Sequence, residues 1–236
     1  MATTASGADA VYQSALVNYL VAMARTVESS VNRSLEALLQ LDDKQASQVF
    51  LNEPRINEME ILIDEQAIRQ LRGGRLSDEE VRLTVATLKI NNDLERIGDL
   101  AVNISQRVLS LSPITGVAVP IELQPMAVAV RAMLAKSLGA LIYRNVVLAN
   151  EVLASDDMVD RYRDLLFENL LEGMRADSTR VAPNLHFILA TRYLERIADH
   201  ATNIAEDILF WVRGLDVRHG RARPDNREGA LLSEAL

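Results

Sequence analysis

Two carboxylates and a carboxamide, each one helical turn from the next, occur twice in this chain: Glu95, Asp99 and Asn103, then Glu195, Asp199 and Asn203. On a helix turning ~100° per residue, groups four residues apart stand nearly one above another. Stacked carboxylates repel by roughly 0.2–0.5 kcal/mol on an exposed helix, so a solvated face with no task would carry Lys at one of the two places. A hard cation turns the repulsion into attraction, because carboxylate and amide oxygens suit magnesium, calcium, manganese and iron. The other reading is an ordinary charged surface on which Arg96 and Arg196 pair with Asp99 and Asp199, three residues on. Further acids at similar spacing precede each trio, Glu60 and Asp64 in one place and Asp160, Asp164 and Glu168 in the other. If these segments pack beside the trios, eight of these carboxylates gather in two symmetric clusters.

Other residues are less telling. Asp207 extends the second ladder by a turn, and His200 reads first as a surface or capping histidine and second as a ligand. His186 reads as partly buried and Trp211 as packing. Gly73-Gly74 lacks the Lys-Ser/Thr of a phosphate loop, and there is no Gly-x-Ser-x-Gly elbow and no cysteine nucleophile. The Glu-x-x-His pairs of a di-iron bundle are also missing. Two functions remain: a metal-binding protein, or a metal-dependent hydrolase that activates water on its carboxylates. The hydrolase needs an open coordination position in a concave pocket. A ladder opposite its helix's own core stripe does not offer one.

The trios lie in a repeat. LERIGDLAVNI at 94–104 returns as LERIADHATNI at 194–204, identical at eight of eleven positions. A hundred-residue period exceeds the ~20–50 residues of solenoid units and points to a duplicated domain. Ser77-Asp78-Glu79-Glu80 predicts a capping box. From there Leu83, Ala86, Ile90, Leu94, Ile97, Ala101, Ile104, Val108 and Leu111 form one apolar stripe that stops before Pro113. Helical spacing also runs through 8–41, through Ile56 to Ala67 ahead of Gly73-Gly74, through 121–153 and through 156–174. The sequence therefore predicts an all-α protein of six helices, arranged as two pseudo-symmetric antiparallel three-helix bundles. The bounds are a flexible N-terminus at 1–8, bundles at 9–112 and 120–215, a linker at 113–119, and a mostly disordered basic tail at 216–236.

Composition agrees. Only 4% of the 236 residues are aromatic, against the enrichment expected of strands. A net charge of −8, with no basic stripe in the folded part, argues against nucleic acid. The absence of cysteine fits a reducing cytoplasm. The N-terminus lacks a signal-peptide pattern, and no run is read as reaching the ~18–20 apolar residues of a span, so no membrane insertion is expected.

The segments KINNDLERIGDLAVNIS and LATRYLERIADHATNIAE resemble the paired signature of the PhoU family of phosphate-signalling regulators. The residues from Pro120 to Ala127, Met133-Leu134 and Asp156 to Tyr162 resemble the family's second half, and Arg55-Ile56-Asn57 with Glu60 its first. The resemblance spans about residues 9–215. It implies a cytoplasmic, non-enzymatic adaptor that represses the phosphate-starvation response when phosphate is plentiful. Its implied partners are the ATPase subunit of the phosphate ABC transporter, the cognate sensor histidine kinase and a second copy in a homodimer. It also implies divalent or trivalent metal ions (iron, manganese, magnesium, zinc or calcium) on Glu60/Asp64, Glu95/Asp99, Asp160/Asp164 and Glu195/Asp199. Three departures stand out: Leu100 where the family commonly has His, Asn57 where an acid is frequent, and Gly73-Gly74-Arg75-Leu76 in place of a loop often bearing proline.

Overall fold

The apolar stripes fold as helices, and among the described residues there are no strands. The computed structural model describes residues 7–215 and 217, with side chains from residue 15. The first six residues and, Val217 apart, the basic tail read from 216 onward lie outside the described residues. Helix α1 is Gly7–Gln40, α2 Asp43–Val49, α3 Glu53–Arg72 and α4 Asp78–Leu111; α5 is Leu123–Tyr143, α6 Val146–Leu153, α7 Asp156–Ala176 and α8 Val181–Arg213. A 3₁₀ turn, Ser178–Arg180, leads into α8. The six long helices are those expected. The capping box that starts α4 is present, with Ser77 Oγ accepting from the Glu80 amide at 3.3 Å and Glu80 Oε2 from the Ser77 amide at 2.6 Å.

Two short helices, α2 and α6, are additional, and α6 breaks the segment read as continuous over 121–153. Each break has the same cause. Leu41 and Arg144 take left-handed backbone angles (φ 53° and 49°) that end α1 and α5. Asp42 and Asn145 then cap the next helix, each side chain accepting from the amides two and three residues on.

Burial shows how the halves correspond. Buried Leu20, Met23, Ala24, Val27, Leu35, Ala37 and Leu38 match buried Leu123, Met126, Ala127, Val130, Leu138, Ala140 and Leu141, every pair identical and 103 residues apart. The 103-residue register holds through Ala46/Ala149, Val49/Val152, Ile56/Val159 and Ile63/Leu166. From Ile90/Ala190 through Leu94/Leu194 to Leu111/Trp211 the separation is 100. The chain from Leu166 on α7 to Ala190 on α8 is thus three residues shorter than that from Ile63 on α3 to Ile90 on α4.

The core is continuous through both halves. Helices α4 and α8 run antiparallel at its centre, Arg82 Nε donating to the Trp211 carbonyl at 3.4 Å and Lys89 Nζ to Asp207 Oδ1 at 2.7 Å. Helix α5 corrects one expectation. Its 21 residues contain an 18-residue window of mean hydropathy 1.5, long and apolar enough by length and composition to cross a membrane. Half of that window is buried. The helix contacts α1, α6, α7 and α8, and a helix covered on several sides is apolar on several sides.

Candidate metal-binding grooves

Helix α3 packs antiparallel to α4, and α7 to α8, so each ladder faces a neighbouring helix instead of open solvent. The Glu95 and Glu195 side chains are only 15% and 22% exposed. In the first groove the Asn91 side-chain amide donates to the Glu60 carbonyl and to Asp64 Oδ1, both at 3.0 Å, fixing α3 against α4. Close approach is possible because Gly98 faces Ile56, whose Cδ1 would lie 3.1 Å from a Cβ at that position. Glu95 Oε2 is buried and accepts no hydrogen bond. Arg96 forms loose ion pairs, its Nε 3.4 Å from that oxygen and its Nη1 3.8 Å from Asp99 Oδ2, and it is itself 56% exposed. Pairs of this kind contribute little. Burial, then the Asp99 carboxylate, and less strongly Glu60, push the Glu95 carboxyl above its ordinary range, with Arg96 opposing.

In the second groove a guanidinium stands among the acids. Arg163 Nη1 donates to Asp160 Oδ1 at 2.7 Å and to Glu195 Oε1, and Asp164 Oδ1 takes its Nε at 2.9 Å. Those bonds, first the one to Glu195, hold Arg163 firmly charged. Asp199 lies at the exposed lip, yet burial and then Glu195, Asp156 and Asp160 raise its carboxyl above the ordinary range. Burial followed by Asp160 does the same for Asp156. Among the described residues no ion pair joins Arg196 to Asp199, and no three Asp, Glu or His side chains converge closely enough, as they stand, to hold a metal ion.

The expected site residues therefore divide. Glu60, Asp64, Glu95 and Asp99 lie together along α3 and α4, and Asp160, Glu195 and Asp199 along α7 and α8. Asp164 is 68% exposed and meets the groove through Arg163, while Asp156, absent from the expected set, lies within it. The register explains why: Asp156 and Asp160 correspond to Glu53 and Asn57, 103 residues earlier, and Arg163 corresponds to Glu60. Asn103 is half-buried, and Glu168 is exposed. Asn203 and Asp207 leave the ladder altogether. Asn203 Nδ2 donates to Asp93 Oδ1 of the other half at 3.3 Å, His200 Nδ1 lies 2.7 Å from the same oxygen, and the buried Asp207 pairs with Lys89. Each four-residue step on a helix overshoots a full turn by ~40°, so Asp207 points ~120° away from Glu195. His186 is half-buried, with an unpartnered Nδ1; burial and then Arg107 lower its pKa.

The donor chemistry fits a hard cation: closely spaced carboxylates, one with a buried oxygen lacking a hydrogen bond, on two rigid helices per half. Fold and site together define a duplicated helical-bundle protein with an acidic groove in each half. The chain belongs to the PhoU family: the PhoU domain matches it twice, over residues 20–108 and 123–208. It is 36% identical over 207 residues to the phosphate-specific transport system accessory protein PhoU homolog of Pseudomonas aeruginosa, covering 86% of this chain and 84% of that one. It is 30% identical over 218 residues to the homolog of Xylella fastidiosa, covering 92% and 90%. The crystal structure of PhoU from Pseudomonas aeruginosa is similar with a TM-score of 0.83 at 33% identity, covering 86% of this chain and 98% of that one.

Proposed function

We propose that this chain is a regulatory accessory protein of phosphate uptake. It acts in the cytoplasm as a metal-binding adaptor and lowers the phosphate-starvation response when phosphate is plentiful. It does so by contacting the ATPase subunit of the phosphate ABC transporter and the sensor histidine kinase, and it works as a homodimer. The observation that carries the reading is the repeated carboxylate face, set twice in a fold shared along almost the whole length of relatives named as phosphate-transport accessory proteins. Such a face needs a counter-charge, and a bound cation would supply what Arg96 and Arg163 leave uncompensated. Glu60, Asp64, Glu95 and Asp99 are the donors in the first half. Glu195, Asp199 and Asp160, together with Asp156, are those in the second. A bound cation would neutralise the grooves and set the surface that partners meet.

Two measurements test this. Purified protein should bind the ATPase subunit or the kinase's cytoplasmic part and should not bind duplex DNA at physiological salt. Elemental analysis should find metal in the wild type and much less in the Asp99→Asn/Asp199→Asn double variant. Tight sequence-specific DNA binding would sink the adaptor reading. A wild type that takes up no cation, with a variant slightly less stable, would return the ladders to ordinary ion-paired surface.

A further inference from the structure

The two grooves are built on the same scaffold and carry opposite charge at one position. In the second, Arg163 reaches three carboxylates at once: Asp160 at 2.7 Å, Asp164 at 2.9 Å, and Glu195. A guanidinium suits this task, because its donors form a rigid planar fork and it stays charged at any physiological pH. In the first groove the residue at that position, 103 places earlier, is Glu60, which adds its own repulsion to Glu95. Among the described residues the cation paired with Glu95 is Arg96, which is mostly exposed and, at 3.4 Å from Oε2, makes an ion pair without a hydrogen bond. Glu95 Oε2 is left buried without a hydrogen bond, whereas Glu195 Oε1 accepts from Arg163. One groove holds a guanidinium bonded among its carboxylates. The other does not.

We infer that Arg163 serves as a built-in counter-ion for the second groove, so that a divalent cation from solution binds the first groove and is kept from the second by that guanidinium. This rests on the metal-binding reading above and divides it between the halves. The physical argument is competition for the same oxygens. An incoming cation would have to take Asp160 and Glu195 away from Arg163 and leave a positive charge beside itself. The first groove asks for no such exchange, because its best-buried oxygen has no donor to lose.

The test uses the full chain, stripped with chelator and titrated with Mn(II), the free ion being followed by its electron paramagnetic resonance signal. Wild type should bind Mn(II), and Glu95→Gln should lose that binding. Adding Arg163→Gln to Glu95→Gln should restore binding, a further Glu195→Gln should remove it again, and Arg163→Lys in the Glu95→Gln background should stay empty. Retention of wild-type binding by Glu95→Gln, or no recovery in Glu95→Gln/Arg163→Gln, overturns the inference while leaving metal binding intact. Silence toward Mn(II) in both wild type and Glu95→Gln/Arg163→Gln overturns the metal reading as well. Should Arg163→Gln fail to fold, the Glu95→Gln titration alone still decides whether the first groove carries the binding.

Discussion

Replacing Gly98 by Ala tests the packing that brings the first groove together. Gly98 lies between Glu95 and Asp99 on α4, facing α3. A Cβ there would sit 3.1 Å from Ile56 Cδ1 and 3.4 Å from its Cγ2. The other half solves the same contact differently: Ala198 faces α7 where Val159 replaces the isoleucine, both 1% exposed. Volume has moved from one helix to the other. Gly98→Ala alone gains ~1 kcal/mol of helix propensity. Overpacking against the 3%-exposed Ile56 costs ~1–3 kcal/mol, so the single variant should be near neutral to ~2 kcal/mol less stable. Ile56→Val alone should cost ~0.5–1.5 kcal/mol for the lost methyl group. Together the two changes reproduce the second half's pair, removing the clash and keeping the propensity gain, so the double variant should be more stable than the sum of the singles by at least ~1 kcal/mol. Urea denaturation of the four metal-free proteins gives the cycle. Additivity within ~0.5 kcal/mol would refute the reasoning, since it would mean that Ile56 swings aside freely and that Gly98 does not set the distance between α3 and α4.

Glu95→Gln should stabilise the metal-free protein at neutral pH. The Glu95 carboxyl is raised above its ordinary 4.5, chiefly by burial. Its favourable contribution is therefore complete below that value and lost as pH rises through the raised one, so the variant's advantage should vanish in melts below about pH 4.5. An advantage constant from pH 4 to 8 would contradict this. Ser77→Ala removes the cap of α4 and should cost ~1 kcal/mol in chemical denaturation; no loss would mean that the box seen at Ser77 and Glu80 contributes nothing. Asp207→Asn removes the charge that Lys89 faces at the junction of the halves and should cost ~1–3 kcal/mol, read as a lower denaturation midpoint. An unchanged midpoint would make that pair incidental.

Much of the fold could be read from the sequence because its strongest signal, the stripe from Leu83 to Leu111, belongs to the central helix and is unbroken. The short helices could not be read from glycine or proline, since Leu41 and Arg144 make the turns; the signal was Asp42 and Asn145 in capping position. The grooves were half legible. Glu95, Asp99, Glu195 and Asp199 stand on the identical motif, but their partners on α3 and α7 require a different register. That register was visible as Ser-Leu-Glu-Ala-Leu at 34–38 and Ser-Leu-Gly-Ala-Leu at 137–141, 103 residues apart. The hundred-residue spacing of the motif concealed Asp156 and the role of Arg163. Asn203 and Asp207 turn toward the other half because a ladder at four-residue steps winds off its face within three steps.

The contact between α4 and α8 has a consequence for the ancestry of the chain. A duplicated domain begins as two interchangeable copies, and either copy could dock on itself. Here that freedom has gone. Two first halves set in the observed antiparallel register would bring Lys89 against Arg107, which stands where Asp207 does in the second half. Asp93 would meet Leu100 and Asn103 in place of His200 and Asn203. Two second halves would leave Asp207 opposite Leu189. Each copy has become the specific mate of the other, as in a heterodimer whose subunits happen to share one polypeptide, and a gene cut between α4 and α5 should yield fragments that seek each other in preference to themselves.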